Sequence, residues 1–183
     1  MNTMKKYAGM KPLELLEALN LSGPPFDPFE IIRQLGIELE DDLTRDKLNY
    51  SGTIRAENGN VHIWINPLDV QYRRRFTAAH ELGHLINDIL PQLEPGTDLD
   101  GFKDRHARGG AKNKVERLAD SFAAQLLMPG QMVVDAATAH LRAINDDPKA
   151  GSVTQDQLTV YLARLFNVSR QAMAIRLRNI GIH

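Results

Sequence analysis

The residues of this 183-residue chain best suited to chemistry are His80, Glu81 and His84, within the run His80-Glu81-Leu82-Gly83-His84. On a helix, positions four apart lie nearly above one another, about 6 Å along the axis. Two imidazoles at that spacing can converge on one ion at Zn–N distances of roughly 2.0–2.1 Å. Glu81 is one step round the helix and need not ligate. It can instead reach a water in the open position of the metal and act as general base. With six histidines in the chain, chance gives such a pattern in only about one chain in a hundred. The plain alternative is a surface helix with two solvated histidines. Against it stand Phe76, Ala79, Leu82, Leu85, Ile86 and Ile89, which predict a largely buried helix. Gly83 costs about 1 kcal/mol relative to alanine in a helix interior, which implies a second backbone passing close by.

A catalytic zinc site takes three protein ligands. The chain has no cysteine, which excludes a disulfide framework, a thiol nucleophile and thiolate ligands. The metzincin continuation requires glycine at 87 and histidine at 90, where this chain has Asn87 and Leu90. The other usual ligand is a glutamate from a later helix. Glu94 falls in a proline-flanked loop, where rigid placement is harder. Glu116 falls on a helix whose Ala119 and Ala123 leave room for close packing, and it is the favoured ligand. Asp120, one turn on, is placed to accept a hydrogen bond from the outer N–H of a ligating histidine.

The elements that must position these residues follow from periodicity and punctuation. Short helices are predicted at 11–20 and 28–35, the second closed by Gly36. Ile37, Leu39 and Leu43 suggest an edge strand. Strands at 50–56 and 61–65 flank Asn58-Gly59, a strong hairpin signal, with Val61, Ile63 and Ile65 on one face and His62 and Trp64 on the other. Residues 68–90 are helical, and 91–110 read as a long loop without apolar periodicity, a candidate substrate gate. Helices follow at 112–128, 129–144, 154–166 and 169–180, with Ser169 capping the last. The expected fold is α+β, mostly helical with a small antiparallel sheet. It divides into a core at 1–150 and a C-terminal helical pair, helix-turn-helix-like, packed on it at 151–183.

These motifs carry a family resemblance. The run RRRFTAAHELGHLIN from Arg73, followed by ERLADSFAAQLLMP from Glu116, resembles the ImmA/IrrE family of metallo-endopeptidase-like proteins. The hairpin ending in Ile65-Asn66 and the tail with Phe166-Asn167-Val168-Ser169 and Arg176-Leu177 are similar as well. The resemblance implies a zincin-like minimal gluzincin core, with zinc (or manganese) on His80, His84 and Glu116 and with Glu81 as catalytic base. It further implies cleavage or inactivation of an Xre-type helix-turn-helix repressor, in mobile elements, stress responses or toxin–antitoxin loci. No helix-turn-helix segment precedes the core in this sequence, so a DNA-binding partner is expected to be a separate chain. The competing expectation is a regulatory module that keeps the metal site but sequesters a repressor or touches DNA.

The remaining features are weaker. The 23 acidic and 22 basic residues nearly cancel, so no global charge draws the chain to nucleic acid or acidic lipid. From residue 157 onward there are four arginines and no acid, too sparse for a phosphate footprint; packing or partner docking is expected of the tail rather than DNA contact. Arg73, Arg74 and Arg75 read as a solvated helix start. His106 reads as a solvated loop residue that could otherwise stabilise an oxyanion, and His62 and His140 as surface or satisfied core residues. Tyr50 and Tyr161 are candidate donors to a tetrahedral intermediate. No stretch reaches a membrane-spanning length and no secretory leader is visible, so the expected address is the cytoplasm.

Overall fold

Pro12 and Pro28 open the first two helices of the computed structural model, which describes residues 4–43, 47–57, 60–92, 103–107, 114–146 and 151–182. They begin α1 (Pro12–Ala18) and α2 (Pro28–Gln34), where a missing N–H costs nothing. The Asp27 side chain caps α2 by accepting from the Phe29 N–H, and Gly36 follows it at φ +72°. The chain then enters β1 (Glu38–Glu40), β2 (Tyr50–Glu57) and β3 (Asn60–Ile65).

The sheet has four strands in the order β1-β3-β2-β4. β2 and β3 are antiparallel, with Ile54 opposite Ile63 and Glu57 opposite Asn60. The Asn58-Gly59 turn itself lies outside the described residues. β1 pairs with β3 in parallel, so the sheet is mixed where an antiparallel one was expected; pairing at β3's far edge depends on the path of the whole chain, which local pattern does not carry. β3 is consequently an inner strand. Trp64, on the opposite face from Val61 and Ile63, is fully buried as they are, and its indole N–H donates to the Asp42 carbonyl at 2.8 Å.

β4 (Lys103–Ala107) corrects the reading of 91–110 as structureless. It is an edge strand, antiparallel to β2, with a register shift between Tyr50 and Gly52 that leaves Ser51 as the extra residue. An edge strand is held by main-chain hydrogen bonds and needs no apolar alternation, which is why its sequence gave no signal. The rest of the expected gate, 93–102 and 108–110, lies outside the described residues.

α3 (Gln71–His84) crosses the sheet and runs through a π-helical turn, Leu85–Ile89, into the single turn α4 (Leu90–Gln92). It packs on α5 (Lys114–Leu127). A Cβ at Gly83 would stand 3.0 Å from Ala119 Cα and 3.2 Å from the Ala119 carbonyl oxygen. The backbone expected to pass close to Gly83 is thus that of α5, admitted by buried Ala119 and Ala123.

α6 (Gly130–Asn145), α7 (Gln155–Leu165) and α8 (Arg170–Asn179) complete the chain. Thr154 and Ser169 cap α7 and α8, accepting from the N–H groups of Gln157 and Ala172. Leu158, Leu162, Phe166, Met173 and Leu177 join the same buried cluster as Leu15, Ile63 and Leu82. Two arginines reinforce the joint. Arg75, buried in α3, donates to the Asn167 and Phe26 carbonyls and lies 3.5 Å from Asp27 Oδ1. Arg176 donates from Nε to the Met128 carbonyl at 2.9 Å. No helix among the described residues is long and apolar enough to cross a membrane.

Candidate metal centre

The last two turns of α3 aim both motif histidines inward, each with a side chain only 1% exposed. Their outer nitrogens meet carboxylates: His80 Nδ1 is 3.0 Å from Asp120 Oδ1, and His84 Nδ1 is 2.9 Å from Asp88 Oδ2. A carboxylate accepts, so each Nδ1 carries the proton and each Nε2 presents its lone pair. Those two Nε2 atoms are 2.9 Å apart. Glu116 completes the triangle, with Oε2 3.5 Å from His80 Nε2 and Oε1 3.5 Å from His84 Nε2.

The two 3.5 Å separations are close to those between the donors of a metal ion, and the 2.9 Å one is tighter. Donors about 2.0–2.1 Å from zinc stand roughly 3.3–3.4 Å apart at the tetrahedral angle. The ligand atoms of His80, His84 and Glu116 all lie within 4.8 Å of one another, a group that could hold a metal ion. Two nitrogen lone pairs facing each other beside a carboxylate repel unless a cation lies between them. Three acidic side chains, Asp88, Glu116 and Asp120, gather around the two imidazoles and favour that cation. The carboxylates of Glu116, Asp120 and Asp88 are about one-fifth exposed and face the solvent side of the cluster, behind which the histidines sit.

Glu81 is fully buried. Its carboxylate lies against β2, where a Cβ on Gly52 would come within 2.7 Å of Glu81 Oε1 and 2.5 Å of Thr77 Cγ2. Only glycine at 52 lets the strand approach this closely. Gly52 and Asp88 are the two site residues that sequence reasoning missed. A glycine inside a strand pattern was the available signal for the first. Asp88 had only its spacing of four from His84, and it sits in a turn whose π geometry had no sequence marker.

Residues 93–102 lie outside the described structure, and with them Glu94. His106 is on β4, opposite Gly52 in register. Tyr161 stacks on His140 with ring centroids 3.6 Å apart, so its ring is engaged on the α6–α7 face. His62 Nδ1 is 3.4 Å from Glu38 Oε2. The arginine run divides. Arg73 bonds Ser51 Oγ at 3.0 Å and Arg74 lies over the Phe29 ring, while Arg75 is buried instead of solvated. Burial lowers the pKa of Arg75, an effect that Asp27 opposes.

Two histidines from α3 and a glutamate from α5, backed by a small mixed sheet, define a zincin-like α+β metallopeptidase fold. The chain belongs to the Peptidase_M78 family: the family model, described as the IrrE N-terminal-like domain, matches residues 40–178. That stretch contains both histidines, Glu116 and most of the C-terminal helical pair. No curated protein matches the chain.

Proposed function

We propose that this chain is a zinc-dependent endopeptidase acting in the cytoplasm on an Xre-type helix-turn-helix transcriptional repressor, with Glu81 as general base. The observation that carries the proposal is the convergence of His80 Nε2, His84 Nε2 and the Glu116 carboxylate, with Glu81 buried on the same helix. The repressor rests on the resemblance of the Arg73–Asn87 and Glu116–Pro129 runs to ImmA/IrrE proteins. Two nitrogens and one carboxylate form a borderline donor set that suits zinc better than the oxygen-rich sites manganese prefers.

When bound, a divalent ion supplies Lewis acidity, lowering the pKa of a coordinated water and polarising a peptide carbonyl. Asp120 and Asp88 hold the two imidazoles in the tautomer that leaves Nε2 unprotonated. Glu81 would take a proton from the attacking water and give it to the amine nitrogen as the peptide C–N bond breaks. The β2 backbone at Gly52 fixes where that carboxylate can sit. Arg176 is turned toward Met128 and Arg170 is paired with Asp156, which supports a packing role for the tail over DNA contact.

Glu81→Gln tests the proposal, because it keeps the side-chain outline and removes the base. Co-expression with the small helix-turn-helix repressor encoded nearest its gene should show repressor cleavage falling by roughly 10²–10⁴-fold, with metal content and repressor binding retained. Full derepression by the glutamine variant, with the repressor intact on a gel, would favour a sequestering module instead.

A further inference from the structure

A cleft of about 390 Å³ lies beside the metal centre, between α3, the end of α5 and the C-terminal helical pair. Its inner end is formed by Asp120, whose Oδ1 holds His80 Nδ1, and by Thr77, one helical turn before Glu81. Beyond them the lining is mostly apolar, with Ser51, Arg73 and Ser169 as its other polar members. Phe76, Leu127 and Met128 line its core side, and Val168 with Ala172 from α8 and the preceding turn forms the facing wall. At the mouth Val70 is 72% exposed and Tyr72 is 44% exposed, so apolar surface continues outward. The volume lies at the small end of ligand sites, which are apolar clefts with a few placed polar groups.

We propose that this cleft is a substrate subsite that receives one large apolar side chain of a polypeptide lying across the metal centre, and that α8 serves as its specificity wall. The word substrate rests on the peptidase reading above; the binding of an apolar side chain does not. Adjacency to the centre, through Asp120 that both borders the cleft and holds His80, is the reason for choosing a polypeptide side chain as the occupant. A chain whose carbonyl sits at the three ligands has its flanking side chains within reach of Thr77 and Asp120, and the apolar opening begins there. The two charged side chains of the lining are already engaged, Arg73 with Ser51 and Asp69, and Asp120 with His80, so a basic or acidic side chain would lose hydration for a counterion that is shared.

The test uses the full-length protein in two arms. In the first, acetyl-leucine amide, acetyl-glycine amide and acetyl-lysine amide are titrated and backbone amide shifts are mapped. Leucine should perturb Thr77, Leu127 and Ala172, and the other two should not. In the second, the zinc-loaded protein digests a peptide mixture and the cut sites are sequenced. One position beside the cut should favour leucine, phenylalanine or methionine over glycine by about tenfold or more, the discrimination an apolar pocket supplies. Ala172→Trp, filling the cleft, should abolish both the shifts and the preference; Ala172→Leu does so partially and guards against a folding defect. Cleavage without side-chain preference, or a preference unchanged by both variants, overturns the subsite and leaves the peptidase reading standing. Leucine-specific shifts without any cleavage keep the subsite and sink the peptidase reading. Neither shifts nor cleavage overturns both.

Discussion

Asp88 Oδ2 lies 2.9 Å from His84 Nδ1, delivered by the π-helical turn that interrupts the helix directly after the second motif histidine. π turns of this kind occur often at functional sites. Here the turn gives His84 the same carboxylate support that Asp120 gives His80. Removing such an outer partner typically lowers metal affinity by about 10–100-fold. Asp88→Ala should therefore weaken zinc binding by that order in a chelator competition, with the helical circular dichroism unchanged. Asp88→Asn should lose less, because its amide oxygen still accepts from Nδ1. An alanine variant that binds zinc as tightly as the parent would show that His84 needs no such orientation.

The contrast between Asp88 and Asp120 shows what the sequence could convey. His80, His84, Glu116 and Asp120 were legible because each pair sits four apart within one regular α-helix, whereas Asp88 keeps that spacing from His84 across a π turn. Leaving room for α5 beside Gly83 was legible for a similar reason, since a costly glycine has to be explained by a neighbour. What stayed hidden depends on distant parts of the chain. The strand pairing of Lys103–Ala107 lies in backbone bonds to β2, which no side-chain pattern records. Arg75 resembled any arginine near a helix start, yet the carbonyls it serves are 49 residues before it and 92 after it.

Gly83 links stability to the site. Alanine at 83 would gain about 1 kcal/mol of helix propensity, but its Cβ would press on the Ala119 backbone at 3.0 Å. Overpacking of this kind costs about 1–3 kcal/mol. It also pushes away α5, which carries Glu116. Gly83→Ala should lower both the unfolding midpoint and zinc affinity. The contact is with the Ala119 backbone, so Ala119→Gly should recover only a small part of the loss in a double-mutant cycle. Complete recovery would mean that the clash involves side chains and not the helix path.

Buried Arg75 and half-buried Arg176 should matter to folding and not to the proposed chemistry. Arg75→Leu deprives the Asn167 and Phe26 carbonyls of a charged donor, a loss of about 3 kcal/mol. Arg176→Leu should lose less, since one carbonyl, that of Met128, is affected. Burial lowers the pKa of both side chains. The unfolded chain thus holds those protons more tightly, and stability gains from rising pH only in the strongly alkaline range where arginine titrates. At neutral pH the destabilisation should be independent of pH in urea melts. A loss that varied steeply around neutrality would point to a different partner for these groups.

Gly52 offers a way to disturb Glu81 without touching a metal donor. Its missing Cβ would fall 2.5 Å from Thr77 Cγ2 and 2.7 Å from Glu81 Oε1, so Gly52→Ala must displace the carboxylate, the threonine or the strand. Adding Thr77→Ser removes the methyl contact and should restore much of the lost stability. The contact with Glu81 persists in that double variant. A misplacement of about 1 Å at a reacting group can cost roughly 10²-fold in rate, and a displaced base acts in the transition state, so kcat should fall while KM holds. Zinc affinity should stay near that of the parent, because the alanine meets neither histidine nor Glu116. If the double variant is stable, binds zinc and still cleaves at the parental rate, then β2 does not position the carboxylate, and the close approach at Gly52 belongs to packing alone.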